Sequence, residues 1–194
     1  MRRFGVTLRN LGNSIFLIDF VQHSEEKVAR FTFSRGWAHL AKPRIENQTV
    51  VASGFGAQAD KGVFLIGPTG LALGKDDKLY VSDALGNRIS EIWEATTRTT
   101  SAGIGRTLTH DGLLLRPLAM TNVPNGHLLV VNGSNGKVVE IDPETGTQIY
   151  AQWIDNNKAQ TPPGNGDLFG IAMNLEGTAF YYVEDEVNML VIAK

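Results

Sequence analysis

The sequence contains no cysteine, so disulfide bonds, zinc–thiolate centres, iron–sulfur clusters and thiol nucleophiles are all excluded. Neither sign of charge dominates, because 18 basic residues stand against 20 acidic ones. Proteins that bind nucleic acid need a basic surface to neutralise phosphates, so the composition predicts no nucleic-acid partner. Hydrophobic residues make up 42% of the 194 residues, which excludes a disordered chain and is enough for one core.

Long hydrophobic runs are also missing. The longer apolar stretches, such as 15–18 and 179–183, have the length of a β-strand and are too short to span a bilayer, so we predict no membrane partner. The chain opens with two arginines, but the residues up to Asn13 never become the apolar region of a signal peptide. We therefore expect no export signal in this chain, and the sequence leaves its localisation open.

A repeated unit occurs four times along the chain. In each copy a short apolar segment leads into a polar turn and then into an apolar strand that ends in a polar residue. Asp83 and Asn132, which end two of these strands, lie 49 positions apart. Runs of β-branched and aromatic residues bounded by Gly, Asn and Asp indicate strands rather than helices. The four apolar strands are predicted at 15–19, 79–83, 128–132 and 180–184.

Repeated strands with a period of roughly 40–50 residues are typical of the blades of a β-propeller, in which antiparallel sheets pack face to face. Several of the strands are apolar without alternation, which is expected when a sheet is covered on both faces. We therefore predict an all-β chain that forms a single propeller domain of about four blades, arranged as an incomplete ring. The predicted blades cover about 3–66, 67–115, 116–166 and 167–194.

The second copy carries the clearest motif. Its segments 68–73, 79–83 and 87–89 read Pro-Thr-Gly-Leu-Ala-Leu, Leu-Tyr-Val-Ser-Asp and Asn-Arg-Ile. This copy resembles an NHL repeat, whose pattern is Pro-x-Gly-Ile-Ala-Val, a Gly-Asn turn, Ile-Tyr-Val-Ala-Asp and Asn-x-Arg-Ile. The resemblance extends to bacterial NHL-type proteins of undefined function, which are mostly exported.

The other three copies depart from the NHL pattern. In the third copy Asn132 and Lys137 replace the aspartate and the arginine, and in the last copy no arginine follows Asn188. The first copy keeps only Gly5 and Asp19. NHL-type propellers typically have six blades, so the resemblance implies the C-terminal part of a longer ring.

Candidate ligand residues lie in the loops between blades and in the loops after the second strand of each blade. By analogy with propeller enzymes, these loops share the face that usually binds ligands. One interpretation is a ring of oxygen ligands for a calcium ion or a polar small molecule. The other interpretation is that each side chain forms hydrogen bonds with the backbone of its own turn. This second interpretation is favoured because the polar residue recurs in every blade. The candidates are Asp19, Asp83, Asn132, Glu184 and Asp185 after the second strands, and Arg116 and Asp167 at blade entries.

The sequence contains no residues at the separations typical of catalytic or metal-binding motifs. None of the four histidines has the spacing of a metal site, and the adjacent pair His110-Asp111 gives no indication that its side chains face each other. Trp93 and Trp153 are expected to pack between blades. We therefore predict a non-catalytic scaffold without a cofactor that binds a protein or small ligand on its loop face. The alternative is a remnant or subunit of a propeller enzyme, a lyase or lactonase-like hydrolase. It would use a divalent cation held in the channel by Asp19, Asp83, Asn132 and Asp185.

An incomplete ring leaves one apolar sheet face bare at each end, and the strand at 188–193 adds an unpaired edge. We therefore expect the chain to self-associate. The residues expected on the bare faces are Ile15, Leu17 and Val28 at one end and Phe180, Tyr182 and Leu190 at the other.

Overall fold

The computed structural model is built from β-strands joined by turns, and it describes residues 2–7, 14–20, 26–33, 44–60 and 64–193. Within these ranges there is no helix, and therefore none that could cross a membrane. The all-β prediction is confirmed.

Seventeen strands are present among the described residues, and most of them belong to four antiparallel sheets. Blade one contains β1 (Arg2–Thr7), β2 (Ser14–Phe20), β3 (Glu26–Phe33) and β4 (Ile45–Phe55). A separate hairpin of β5 (Gln58–Asp60) and β6 (Phe64–Ile66) follows. Blade two contains β7 (Pro68–Leu73), β8 (Leu79–Asp83), β9 (Arg88–Ile92) and β10 (Arg106–His110). Blade three contains β11 (Pro117–Asn122), β12 (Leu128–Asn132), β13 (Lys137–Ile141) and β14 (Gln148–Trp153). Blade four contains β15 (Leu168–Met173), β16 (Phe180–Glu184) and β17 (Met189–Ala193).

The same backbone turn precedes the third strand in blades two, three and four. Asn87, Gly136 and Asn188 each occupy this place with a positive φ, of 46°, 63° and 51°. Glycine and asparagine are the residues that adopt the left-handed region most readily, which explains why the repeat keeps one of them there.

The inner strands of the four blades lie side by side in chain order: β1 beside β7, β7 beside β11, and β11 beside β15. They approach closely at Gly70, where an added Cβ would lie 2.3 Å from the carbonyl oxygen of Leu118 and 3.0 Å from the Cα of Ala119. The four blades therefore form an arc of a β-propeller.

Three apolar clusters fill the spaces between successive blades. Val81 of β8 packs with Val28 of blade one, whereas its neighbour Tyr80 packs with Leu128 and Val130 of blade three. Alternate residues of β8 thus point backward, to the preceding blade, or forward, to the next. At the third interface the Tyr182 hydroxyl also donates to the Ile154 carbonyl oxygen at 3.1 Å. The middle strands β8 and β12 are apolar on both faces because each has a blade on either side.

The exposed face at the end of the arc differs from the one expected. Phe180 and Tyr182 point backward into the interface with blade three, and Tyr182 is only 7% exposed. The forward face consists instead of Tyr181, Val183, Leu190 and Ile192, and Leu190 is 70% exposed. The prediction was right for Leu190 and wrong for Phe180 and Tyr182, because residues that alternate along a strand lie on opposite faces.

At the other end of the arc, Val28 is fully buried between blades one and two, so its predicted exposure is wrong. The side chains of Ile15 and Leu17 lie outside the described part of the structure. Trp93 and Trp153 are also not packed between blades. Both are about half exposed, and each indole carries a lysine ammonium over its ring, from Lys78 and Lys137 at 5.4 and 4.2 Å.

Candidate functional site

Asp83 ends β8 on the entry face, the face formed by the loops between blades and the loops after each second strand. Its carboxylate accepts the Gly86 N–H at 2.9 Å and two bonds from Arg88, through Nε at 2.9 Å and Nη2 at 2.8 Å. Asp83 is 2% exposed. A carboxylate that is this buried needs such partners, so Asp83 fixes the turn between β8 and β9.

Asn132 ends β12 at the equivalent place in blade three but bonds a different loop. Its Oδ1 accepts the Leu115 N–H at 3.0 Å, and its Nδ2 donates to the Leu113 carbonyl oxygen at 2.8 Å. Asn132 therefore holds the loop that enters its own blade, and both ends of its buried amide are used. An asparagine can replace the aspartate here because the loop offers both a donor and an acceptor.

Asn87 and Arg116 connect blades two and three. The Asn87 Oδ1 accepts the Arg116 N–H at 2.9 Å, and the Asn87 Nδ2 donates to the Leu114 carbonyl oxygen at 3.2 Å. Arg116 itself adopts a positive φ of 57°, which is unusual for an arginine. The bonds from Asn87 hold this strained loop at the entry of blade three.

A cavity of about 70 Å³ opens between the inner strands on the entry face. Its walls are apolar and come from Ile66, Leu118, Leu168 and Phe169, and its polar lining comes from Thr69, Arg116 and Asp185. The Thr69 hydroxyl oxygen is buried and has no hydrogen-bond partner among the described residues. Of the predicted site residues, Arg116 and Asp185 line this cavity, and the Asp185 N–H also donates to the Asp167 carbonyl oxygen at 2.7 Å.

Asp167 lies in the loop that enters blade four, and it is 2% exposed. Its carboxylate accepts a hydrogen bond from the Gln160 side chain and another from the Asn157 Nδ2 at 3.3 Å. Burial and the neighbouring carboxyl of Asp167 raise the pKa of Asp155 to about 6. The buried Oδ2 of Asp155 lacks a donor among the described residues, and a proton shared with Asp167 would supply one.

A cation site does not follow from these positions. The oxygens of Asp83 face Arg88 and a backbone N–H, the oxygen and the nitrogen of the Asn132 amide each bond the backbone, and Asp185 is exposed. Within the described ranges, no three His, Asp or Glu side chains are grouped as metal ligands. Asp19 lies on β2 opposite Arg3 and Lys27, and its side chain is outside the described part. Glu184 ends β16, as predicted from the repeat.

Two histidines form carboxylate pairs away from the entry-face cavity. The exposed His110 and Asp111 are hydrogen-bonded at 2.8 Å, a contact that sequence adjacency alone did not predict. His127 pairs through Nδ1 with Glu140 at 2.7 Å, and this bond lowers the pKa of Glu140. Neither pair lines the entry-face cavity.

Comparisons with known proteins identify the fold but no family. No family model matches the chain, and no curated protein does. Virginiamycin B lyase from Staphylococcus aureus matches 99% of this chain with a TM-score of 0.56 and 18% identity, over 52% of its own length. Regucalcin from Agrobacterium tumefaciens, described as a calcium-binding protein, matches 90% of the chain with a TM-score of 0.56 and 11% identity. A gluconolactonase from Xanthomonas campestris matches 92% with a TM-score of 0.53 and 14% identity.

The chain has a β-propeller fold. Its blades span about half the length of these solved structures, 52% of each. At 11–18% identity the likeness concerns the fold alone, so no catalytic residue transfers from these proteins.

Sequence reasoning missed Thr69 and Asp155. Thr69 lies inside the motif of β7, where every neighbour is a fold determinant, and nothing in the sequence marks its hydroxyl as unpaired. Asp155 follows β14 in a loop without a repeated counterpart. Its approach to Asp167 depends on the path of that loop, which no local pattern encodes.

Proposed function

We propose that this chain is a non-catalytic, NHL-type propeller scaffold that binds a small polar ligand at the entry-face cavity. One observation carries the proposal: beside Arg116 and Asp185, in a cavity with apolar walls, the buried Thr69 hydroxyl has no hydrogen-bond partner in the part of the chain that the structure describes. Ligand sites typically combine apolar walls with a few polar groups that fix orientation, and an unsatisfied buried hydroxyl is costly unless a ligand or water bonds it.

The repeated polar residues support binding rather than catalysis. Asp83 and Asn132 use their side chains to hold loops, so they build the rim of the entry face instead of offering reactive groups. The cavity lining includes a cation, a carboxylate and a hydroxyl. A ligand with hydroxyl or carboxylate groups and a short carbon chain would match this lining.

Thermal shift with acetate, succinate, gluconate and glycerol tests the proposal. Binding to the folded state raises the melting temperature, so at least one probe should stabilise the parent protein. Thr69→Val keeps the shape of the side chain and removes its hydroxyl, and it should reduce that shift. Thr178→Val, in the exposed hairpin of blade four, serves as the matched control. No shift with any of the four probes, or an equal shift in Thr69→Val, would contradict the proposal.

A propeller enzyme is the second candidate, because the structurally similar proteins include a lyase, a gluconolactonase and a calcium-binding protein. This function would need calcium at the entry face, and Asp83 and Asn132 would first have to leave their present bonds. Calorimetric titration with calcium and an assay of glucono-lactone hydrolysis distinguish the two candidates. Calcium binding that is lost in Asp185→Asn, together with hydrolysis, would favour the enzyme.

A further inference from the structure

Another cavity, of about 430 Å³, opens between blades two and three at the opposite ends of β7 and β11 from the entry face. We call it the exit-face cavity. Its walls are the turn between β7 and β8 and, from blade three, the turns between β11 and β12 and between β13 and β14. Both blades contain four strands, so complete sheets form these walls. The volume lies in the range of small-molecule sites, about 300–1,000 Å³.

Tyr80 of β8 lines this cavity although it is only 2% exposed. Its ring lies against Gly74, where an added Cβ would stand 2.5 Å from the Tyr80 Cε2 atom and 3.3 Å from the hydroxyl oxygen. The hydroxyl has no hydrogen-bond partner among the described residues, whereas a buried tyrosine hydroxyl usually has one. Burial and the nearby carboxylate of Glu91 raise the pKa of Tyr80 to about 12, so the hydroxyl keeps its proton. Tyr80 therefore offers an unused donor to the cavity.

Lys75 supplies a positive charge to the same cavity. It follows Gly74 in the turn of blade two, and its Nζ reaches across to blade three, where it lies 3.6 Å from the place of a Cβ on Gly126. Within the described ranges Lys75 forms no ion pair, whereas the next lysine along the chain, Lys78, pairs with Glu91 and Glu144. The ammonium group of Lys75 is therefore free to bind an anionic ligand.

Two carboxylates also line the cavity, but both have partners within the chain. Asp142 accepts the Glu144 N–H at 2.9 Å and the Thr145 hydroxyl at 2.8 Å, and the Glu144 carboxylate pairs with Lys78 at 3.5 Å. The charge left unmatched at the cavity is therefore that of Lys75. Because the two carboxylates remain negative, they would repel a ligand that carries more than one negative charge.

Apolar surface completes the cavity and comes from three residues of blade three, Val123, Pro124 and Pro143. Asn125 and His127 line the cavity as well, but Asn125 Nδ2 and His127 Nδ1 already bond the Glu140 carboxylate, at 3.0 and 2.7 Å. A ligand body placed here would therefore meet apolar surface, while its hydrogen-bond acceptor meets the ammonium and hydroxyl groups of blade two.

We propose that the exit-face cavity binds a small monocarboxylate with an apolar body, for which benzoate is a suitable probe. Its carboxylate would accept hydrogen bonds from the Lys75 ammonium and the Tyr80 hydroxyl, and its ring would lie against Pro124 and Pro143. Hydrogen bonds to ionised groups are stronger than those between neutral groups, so the carboxylate fixes the orientation of the ligand. The site is separate from the entry-face cavity, so this inference does not depend on the function proposed above.

Calorimetric titration with benzoate tests the proposal, and we expect saturable binding with a dissociation constant of about 1 mM or below. Lys75→Gln removes the charge and should weaken binding about tenfold or more, whereas Lys75→Arg should retain it. Tyr80→Phe keeps the ring, removes the hydroxyl and should weaken binding about three- to tenfold. Lys158→Gln changes an exposed lysine between blades three and four and serves as the matched control. Thermal unfolding shows that each variant is folded.

Two further probes test the charge of the ligand. Benzamide is a neutral analogue and phthalate a doubly charged one, and both should bind about tenfold more weakly than benzoate. Amide chemical shifts locate the site, and benzoate should shift residues 74–75, 122–127 and 142–144. Equal affinity in the parent and Lys75→Gln, tighter binding of phthalate than of benzoate, or shifts confined to Thr69 and Asp185 at the entry face would overturn the proposal. So would the absence of saturable binding up to about 10 mM.

Discussion

Asp83 makes three charge-assisted or backbone bonds while almost fully buried, so its removal leaves the Arg88 guanidinium without its carboxylate partner. We expect Asp83→Ala to lower the free energy of unfolding by about 2–4 kcal/mol. Asp185→Ala, in the exposed turn that follows β16 of blade four, should change it by less than about 0.5 kcal/mol. Urea denaturation measures both, and equal stabilities would show that the Asp83 turn does not hold blade two.

Asp155 should make stability depend on pH. Its pKa is raised from 3.8 to about 6, so the folded state binds a proton more tightly than the unfolded state does. This contribution to stability is therefore fully present below about pH 4 and is lost as the pH rises to about 6.

The variant Asp155→Asn removes the titrating group and should flatten the stability profile between pH 4 and 6. Chemical denaturation at several pH values follows this change, with the exposed Asp185→Asn as a control that keeps the parental slope. An unchanged slope in Asp155→Asn would mean that the pair with Asp167 holds no proton.

At the scale of strands, the close approach of inner strands determines where glycine is required. In Gly70→Ala the new methyl group would meet the backbone of β11, whereas in Gly170→Ala the nearest atom is the Val183 side chain at 3.2 Å. Gly170 occupies the same place in blade four, where the described residues provide no following inner strand. We expect Gly70→Ala to cost about 1–3 kcal/mol and Gly170→Ala clearly less, as judged by thermal unfolding. Similar losses would place the crowding within the blade rather than between blades.

The strands and their order could be predicted from the sequence, because the repeat places apolar runs and turn residues at constant spacing. The four second strands were predicted at 15–19, 79–83, 128–132 and 180–184, and each is present within a residue at either end. Which face each side chain takes was harder to predict. Phe180 and Tyr182 were assigned to the open face, although alternation places Tyr181 and Val183 there.

The candidate site was less accessible from the sequence than the fold. Arg116 and Asp185 were predicted to share a face because they lie in loops at repeated positions, and both line the entry-face cavity. Thr69 and Asp155 each bury a side-chain oxygen that has no hydrogen-bond partner among the described residues. Whether a buried atom finds a partner depends on three-dimensional packing, which the sequence pattern does not encode. Trp93 and Trp153 were expected to pack between blades. Trp93 instead follows β9 and Trp153 ends β14, and each half-exposed indole ring has a lysine ammonium above it.

At the scale of the whole molecule, equivalent residues should contribute differently to the free energy of unfolding, depending on whether a neighbouring blade covers them. Tyr80 and Tyr181 both point forward from the middle of a blade, but Tyr80 is 2% exposed beneath blade three and Tyr181 is 38% exposed. We expect Tyr80→Ala to lower the free energy of unfolding by about 3–5 kcal/mol and Tyr181→Ala by about 1 kcal/mol. Guanidinium denaturation compares them, and equal effects would indicate that the forward face of blade four is covered in solution.

The alternation of backward and forward side chains makes each blade depend on its neighbours alone, so the arc behaves as a linear array of coupled units. In such an array a unit held from one side opens more often than units held from both. Amide hydrogens of β16 should therefore exchange faster with solvent than those of β8 and β12, although all three are middle strands with complete hydrogen bonding. Mass spectrometry of peptides covering the three strands would reveal this gradient. Uniform protection would mean that the arc opens only as a whole.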